Sequence, residues 1–211
     1  MILRNRDKQI IITLSRKVRL LTHAQIAYGW WSLSLSGLKN SRRRLGQLVK
    51  AGWLVSSNVI ADSIAISSAV ATWSPGQLSL NFGTIAWQLQ SRWTQNVRNE
   101  KVYVAAKFAA NQFGGSSNGR VKKPKQATHD LGVSAVYLAM IKERPQDAEA
   151  WLGEDIYAGS RRGQVLPDAM LFDPDSTDPY LAIEFGGAYT KERLEEFHHD
   201  CQIRKLAYEI W

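Results

Sequence analysis

Charge reverses sign part-way along this 211-residue chain, and that reversal constrains its organisation more than any single motif does. Met1 to Gln126 carries nineteen Lys/Arg against three Asp/Glu, a net of +16, whereas Ala127 to Trp211 carries eight against sixteen, a net of −8. A surface without a partner has little reason to segregate charge so strongly, so the basic part is expected to approach a polyanion. The acidic part would be repelled by that polyanion unless its carboxylates are matched by something positive, such as a divalent ion. Close to the reversal stands Gly114–Gln126, GGSSNGRVKKPKQ, whose composition predicts a mobile linker. Three segments follow: 1–77, a connecting stretch 78–126, and 127–211.

The first segment predicts three helices and a two-stranded ribbon. Asp7 to Ser15 is a short apolar-rich helix. Thr22 can cap a second, in which Ile26, Trp30 and Trp31 recur at near-helical spacing, and Ser36 a third. In that third helix Leu38, Leu45, Leu48 and Val49 lie on one side, Lys39, Arg43, Gln47 and Lys50 on another, and Gly52 ends it. Trp53–Ile60 and Ile64–Trp73, either side of Ala61-Asp62-Ser63, read as the ribbon. Three helices plus a ribbon is the winged form of the helix-turn-helix, whose third helix enters the major groove of double-stranded DNA. Arg42, Arg43 and Arg44, with Lys39, Gln47 and Lys50, would supply its contacts, and Arg16, Lys17 and Arg19 would add phosphate contacts from the first turn. Trp87 and Trp93, in the connecting stretch, are expected in the core.

The second segment predicts an α/β pattern. A helix is expected over His129–Lys142 and another over Asp147–Leu152, strands over Ile156–Ala158, Val165–Phe172 and Leu181–Phe185, and a last helix from Thr190 to the end. Asp168 and Glu184 lie on successive strands, sixteen residues apart, around the turn Asp173-Pro174-Asp175. Paired antiparallel, those strands bring the two carboxylates together, where they repel unless a cation intervenes. Mg²⁺ or Mn²⁺ suits such oxygens and can activate water against a phosphodiester.

At Pro167-Asp168 and Glu184 the chain resembles the PD-(D/E)XK nuclease superfamily. The resemblance implies a mixed sheet flanked by helices and a metal held by Asp168, Glu184 and a further acid. Glu154 is the best placed third acid, with Asp155 and Glu149 as rivals. It also implies a lysine two positions after the glutamate, where this chain has Gly186; Lys191 is the nearest replacement and Lys205 a more distant one. Over nearly its whole length the chain resembles the replication-relaxation family, through the amino-terminal winged helix, His129-Asp130-Leu131, Pro167-Asp168, Glu184, and the segment holding Arg193, Lys205 and Tyr208. That resemblance implies a cytoplasmic protein acting on plasmid or mobile-element DNA in replication, nicking or transfer. Its catalysis is left open, as are partnership with a relaxase, replication or transposition protein and a homodimer. A non-catalytic DNA-binding adaptor, or a winged-helix regulator, is the alternative that Gly186 favours.

The remaining motifs carry less. His198-His199 point about 100° apart on a helix, so they are read as surface or core. Cys201, the one cysteine, reads as a buried thiol. No apolar run approaches the roughly 18 residues of a membrane span.

Overall fold

The computed structural model describes residues 1–62, 66–93, 96–158 and 166–211. It is a mixed α+β structure containing two sheets. No helix among the described residues is long and apolar enough to cross a membrane.

The first helices form as their end signals direct. α1 (Asn5–Ile12) runs into a π-helical turn, Thr13–Lys17, and the short strand β1 (Leu21–Thr22) leads into α2 (His23–Trp30). Thr22 caps α2 reciprocally: its hydroxyl accepts from the Gln25 amide while the Gln25 side chain accepts from the Thr22 amide. α3 (Leu35–Lys50) is capped by Ser34 rather than Ser36, because it is the Ser34 hydroxyl that receives the Gly37 amide. At its far end Gly52 takes φ of +77°, a left-handed turn that glycine adopts without penalty.

The ribbon differs from expectation in its second strand. β2 (Leu54–Ala61) pairs antiparallel with β4 (Arg98–Ala105), from Leu54 opposite Ala105 to Ala61 opposite Arg98, and β1 joins the other side in the order β1-β4-β2. The strand expected from Ile64 begins outside the described residues. Its end, β3 (Ala71–Trp73), leaves this sheet and pairs with β8 (Ala207–Ile210) instead. Between β3 and β4 stands α4 (Phe82–Ser91).

The second sheet has the order β3-β8-β7-β6-β5. Its strands β5 (Trp151–Gly153), β6 (Ala169–Phe172) and β7 (Pro179–Glu184) are antiparallel neighbours, while β7 and β8 run parallel. A parallel pair needs a crossover, and α9 (Lys191–Ile203), capped by Thr190, supplies it. The last helix therefore stops at Ile203 and the chain returns as a strand. Ile156–Ala158, expected as a strand, is mostly helical within α8 (Glu154–Tyr157); the Val165 end of the next expected strand lies outside the described residues.

α5 (Lys107–Gln112), α6 (Ala127–Glu143) and α7 (Pro145–Ala150) complete the order. α6 is buried on nearly every side, packing against α2, β1 and β2 while Gly132 seats the Phe185 ring. Ile10, Leu14, Leu45, Val136, Trp151 and Phe185 belong to one apolar core, so both sheets share it. The expected limits at residues 77 and 126 do not coincide with sheet membership: β3 belongs with the carboxy-terminal strands and β4 with the amino-terminal ones. Trp87 lies 70% exposed on α4, contrary to its expected core place, because Ile85, Ala86 and Leu89 form the buried side of that helix. Trp93 does pack against the core.

Candidate functional site

Antiparallel pairing of β6 with β7 sets Ala169 opposite Ile183, which leaves Asp168 across from Glu184 at the strand ends. Each carboxylate accepts from a backbone amide of the opposite strand end. The Asp168 amide donates to Glu184 Oε2 at 3.2 Å, and the Phe185 amide donates to Asp168 Oδ2 at 2.8 Å. The Tyr189 hydroxyl donates to Glu184 Oε1 at 2.6 Å, so both oxygens of this 4%-exposed carboxylate are engaged.

A cation does stand beside the pair, and it is a side chain. His129, in the first turn of α6, places Nε2 3.3 Å from Asp168 Oδ2 and Nδ1 3.8 Å from Asp130 Oδ1. Burial alone would discharge the imidazole, but Asp168, Asp130 and Glu184 overcome it and hold the group up to about 10. Burial, reinforced by the Asp168 charge, pushes Glu184 up to about 8 against the Tyr189 hydrogen bond. The repulsion expected between the carboxylates is thus relieved by the His129 charge beside Asp168, while burial and the Asp168 charge raise the proton affinity of Glu184.

Glu154 approaches through its backbone only: its amide donates to the Asp168 carbonyl at 2.9 Å. Its carboxylate turns to Arg19, whose guanidinium stands 2.5 Å from Glu154 Oε2, 2.8 Å from Asp155 Oδ1 and 3.2 Å from Asp130 Oδ1. Lys122 adds a second cation to Asp155 at 2.6 Å. Among the described residues no group of three His, Cys, Asp or Glu side chains is arranged to hold a metal ion. Asp168 and Glu184, expected as metal ligands, accept protein hydrogen bonds, and Glu154 pairs with Arg19. Lys191 is an exposed α9 residue paired with Glu195 at 3.5 Å, and Lys205 is exposed after that helix.

The absence of a lysine at position 186 has a packing cause. Gly186 is buried, and a Cβ there would come 2.5 Å from a terminal methyl of the fully buried Leu89. The glycine is the seat on which α4 docks.

No family model, curated protein or solved structure matches this chain.

The basic residues of the first segment divide sharply by environment. Lys17 donates to the carbonyls of Glu149 and Trp151 at 2.7 and 2.5 Å, Arg19 is spent on three carboxylates, and Arg44 chelates the buried Asp7 through Nε and Nη2 at 3.0 and 2.5 Å. Gln47 is tied to Arg44 at 2.9 Å. These residues, expected on DNA, mainly hold α1, α3 and the carboxy-terminal strands together. By contrast Lys39, Arg42, Arg43 and Lys50 are exposed on α3 and make no ion pair among the described residues. His129 enters the sequence reading at the start of a helix and in the His129-Asp130-Leu131 stretch of a family resemblance, without a site role; its adjacency to Asp130 is visible in the sequence, but its partner Asp168 is 39 positions away.

Of the minor candidates, His198 is buried with Nδ1 2.9 Å from the Tyr208 hydroxyl, and Cys201 is a buried free thiol pushed up to about 12 by burial.

Proposed function

We propose that this protein binds double-stranded DNA through α3, with α1–α3 and the β1-β4-β2 sheet acting as a winged helix. The observation that carries the reading is the exposed stripe on α3. Ser36, Lys39, Asn40, Arg43 and Lys50, with the exposed Arg42 next to Arg43, lie on the solvent side opposite the buried Ser41, Leu45 and Leu48. The stripe combines cations that suit phosphates with amide and guanidinium groups that suit base edges. It is rigidly mounted, since His23 Nε2 lies 2.8 Å from the Ser41 hydroxyl and Arg44 fastens the helix to Asp7. The resemblance to the replication-relaxation family extends the reading to plasmid or mobile-element DNA, with a relaxase, replication or transposition protein as partner.

The test is duplex affinity as a function of salt. Arg42→Ala with Arg43→Ala weakens binding to a 20-base-pair duplex about tenfold or more and lowers the slope of log K against log salt by about two, at roughly 0.9 per phosphate contact. Unchanged affinity and slope would remove α3 from the interface.

The second reading, metal-dependent strand cleavage, is favoured by the Asp168–Glu184 juxtaposition. In it Asp168 and Glu184 would hold Mg²⁺ or Mn²⁺, which supplies Lewis acidity toward a phosphate, Glu154 would join them once released by Arg19, and Lys191 would serve the attacking water. Glu154 is turned to Arg19, and Glu184 accepts from Tyr189 and the Asp168 amide, so DNA binding without cleavage is the reading preferred here. Supercoiled plasmid incubated with Mn²⁺ stays intact on this reading. Nicking that EDTA stops and Asp168→Ala abolishes would establish the second.

A further inference from the structure

The segment expected to be a loose linker is laid down along the π-helical turn. The Gly115 amide donates to the Ala110 carbonyl at 2.8 Å, the Ser116 amide to the Ser15 carbonyl at 3.1 Å, and the Ser117 hydroxyl to the Ala105 carbonyl at 2.7 Å. Gly115 has no room for a side chain against the Ser15 backbone. Between this segment and the turn lies a cleft of about 160 Å³, with Arg16, Lys17, Arg19, Arg120 and Lys122 among its lining and Asp168 at its edge. π-Helical turns occur preferentially at functional positions.

The charges in the cleft do not cancel evenly. Its carboxylates are already matched: Asp130, Glu154 and Asp155 by Arg19 and Lys122, and Asp168 by His129. One of its cations, Arg16, has no carboxylate. Arg16 keeps a buried Nε without any hydrogen-bond partner, and Lys17 is held by carbonyls. Burial and the adjacent Arg16 pull the Lys17 ammonium down to about 8 against the opposing charge of Glu149. Holding a partly buried cation without an anion is costly unless an anion arrives from outside. Arg120 and Lys122 line the cleft, and the chain carries the same charge onward through the exposed Lys123 and Lys125. A single small anion would use only the floor of such a track, whereas a chain of phosphates uses its whole length. The cleft is too small to admit a duplex.

We propose that this cleft binds the sugar–phosphate backbone of a single nucleic-acid strand, with Arg16 at its floor, Arg120 in its lining, and the exposed Lys123 and Lys125 that follow in the chain extending the contact. The proposal rests on the DNA-binding reading above but uses different residues. It gives the strand a course past Asp168 and makes the basic segment a second contact, separate from the α3 groove contact.

The test uses a fluorescently labelled 20-nucleotide thymidine oligomer, which offers α3 no duplex groove. Wild-type protein binds it. The surface variant Arg120→Ala/Lys123→Ala/Lys125→Ala binds about tenfold or more weakly, with a salt slope reduced by about two, at roughly 0.7 per contact on single strands. Arg16→Gln weakens binding further, and because that residue is half-buried, the surface variant serves as the version that does not disturb packing. Absence of wild-type binding, or equal affinity and slope in the surface variant, would overturn the proposal, as would thermal stabilisation by inorganic phosphate with no effect of the oligomer. The two readings fail separately: Arg42→Ala/Arg43→Ala affects duplex binding alone, and its lack of effect there leaves the oligomer result standing.

Discussion

Two groups of basic residues, close in sequence and alike in composition, meet opposite fates. On α3, Lys39, Arg42, Arg43 and Lys50 stand in solvent without ion pairs among the described residues. Arg19 and Arg44 instead bind carboxylates that are largely buried: the side chains of Asp130 and Asp7 are 2% and 1% exposed. The chain-wide charge reversal therefore has two components. Part of the amino-terminal excess is matched inside the molecule, where Arg19 meets three carboxylates of the acidic region. The rest remains available to an outside polyanion.

The largest expected effect breaks the internal group. Arg19→Met leaves Asp130, Glu154 and Asp155 gathered around an apolar side chain, and loss of one partner from a buried ion cluster costs about 3 to 5 kcal/mol. Urea unfolding should show that loss, while Arg43→Ala changes stability by no more than about 0.5 kcal/mol. Equal stability of the two variants would dissolve the distinction between them.

A smaller effect probes the seat beside the candidate site. Gly186→Ala drives a methyl into the Leu89 side chain, and overpacking of a filled core costs about 1 to 3 kcal/mol. Gly186→Ala/Leu89→Ala should recover part of that loss by making room, although it forfeits the Leu89 burial. If the single variant is as stable as the wild type, packing is not what excludes a longer side chain at 186.

Local signals were legible and distant partnerships were not. The Thr22 cap, the stop at Gly52 and the Asp168–Glu184 encounter could be read because each depends on residues that are near neighbours or on a short turn such as Asp173-Pro174-Asp175. The partner of β2 could not. Ile64–Trp73 has the apolar and β-branched composition of a ribbon strand, yet the ladder is filled by β4, about forty positions after β2, and composition does not encode which strand pairs with which. β8 was hidden for a related reason: it is four residues long and follows α9 after a tight turn at Lys205, φ +51°, so helical spacing masked it. The basic residues of 1–50 looked equivalent because charge is read locally, whereas whether a guanidinium is spent depends on carboxylates such as Asp155, 136 positions from Arg19.

The smallest effect concerns the cation at the candidate site itself. His129 titrates near 6.5 in an unfolded chain and near 10 in place, so its contribution to stability is complete below about 6.5 and is lost as pH rises through about 10. Glu184 acts in the same direction, because its proton is retained up to about 8 in place against 4.5 when free. Stability should therefore decline from neutral to alkaline pH, by at most roughly 1.4 kcal/mol per pH unit for each group. His129→Gln keeps a hydrogen-bonding side chain but removes the titrating charge. Its melting temperature should fall less steeply than that of the wild type as pH rises through about 10, where the wild-type imidazolium discharges. Parallel curves would mean that the imidazole carries no charge beside Asp168. The carboxylate pair would then have to be relieved by the Glu184 proton alone, and this site would lose its likeness to the internally neutralised Arg19 cluster.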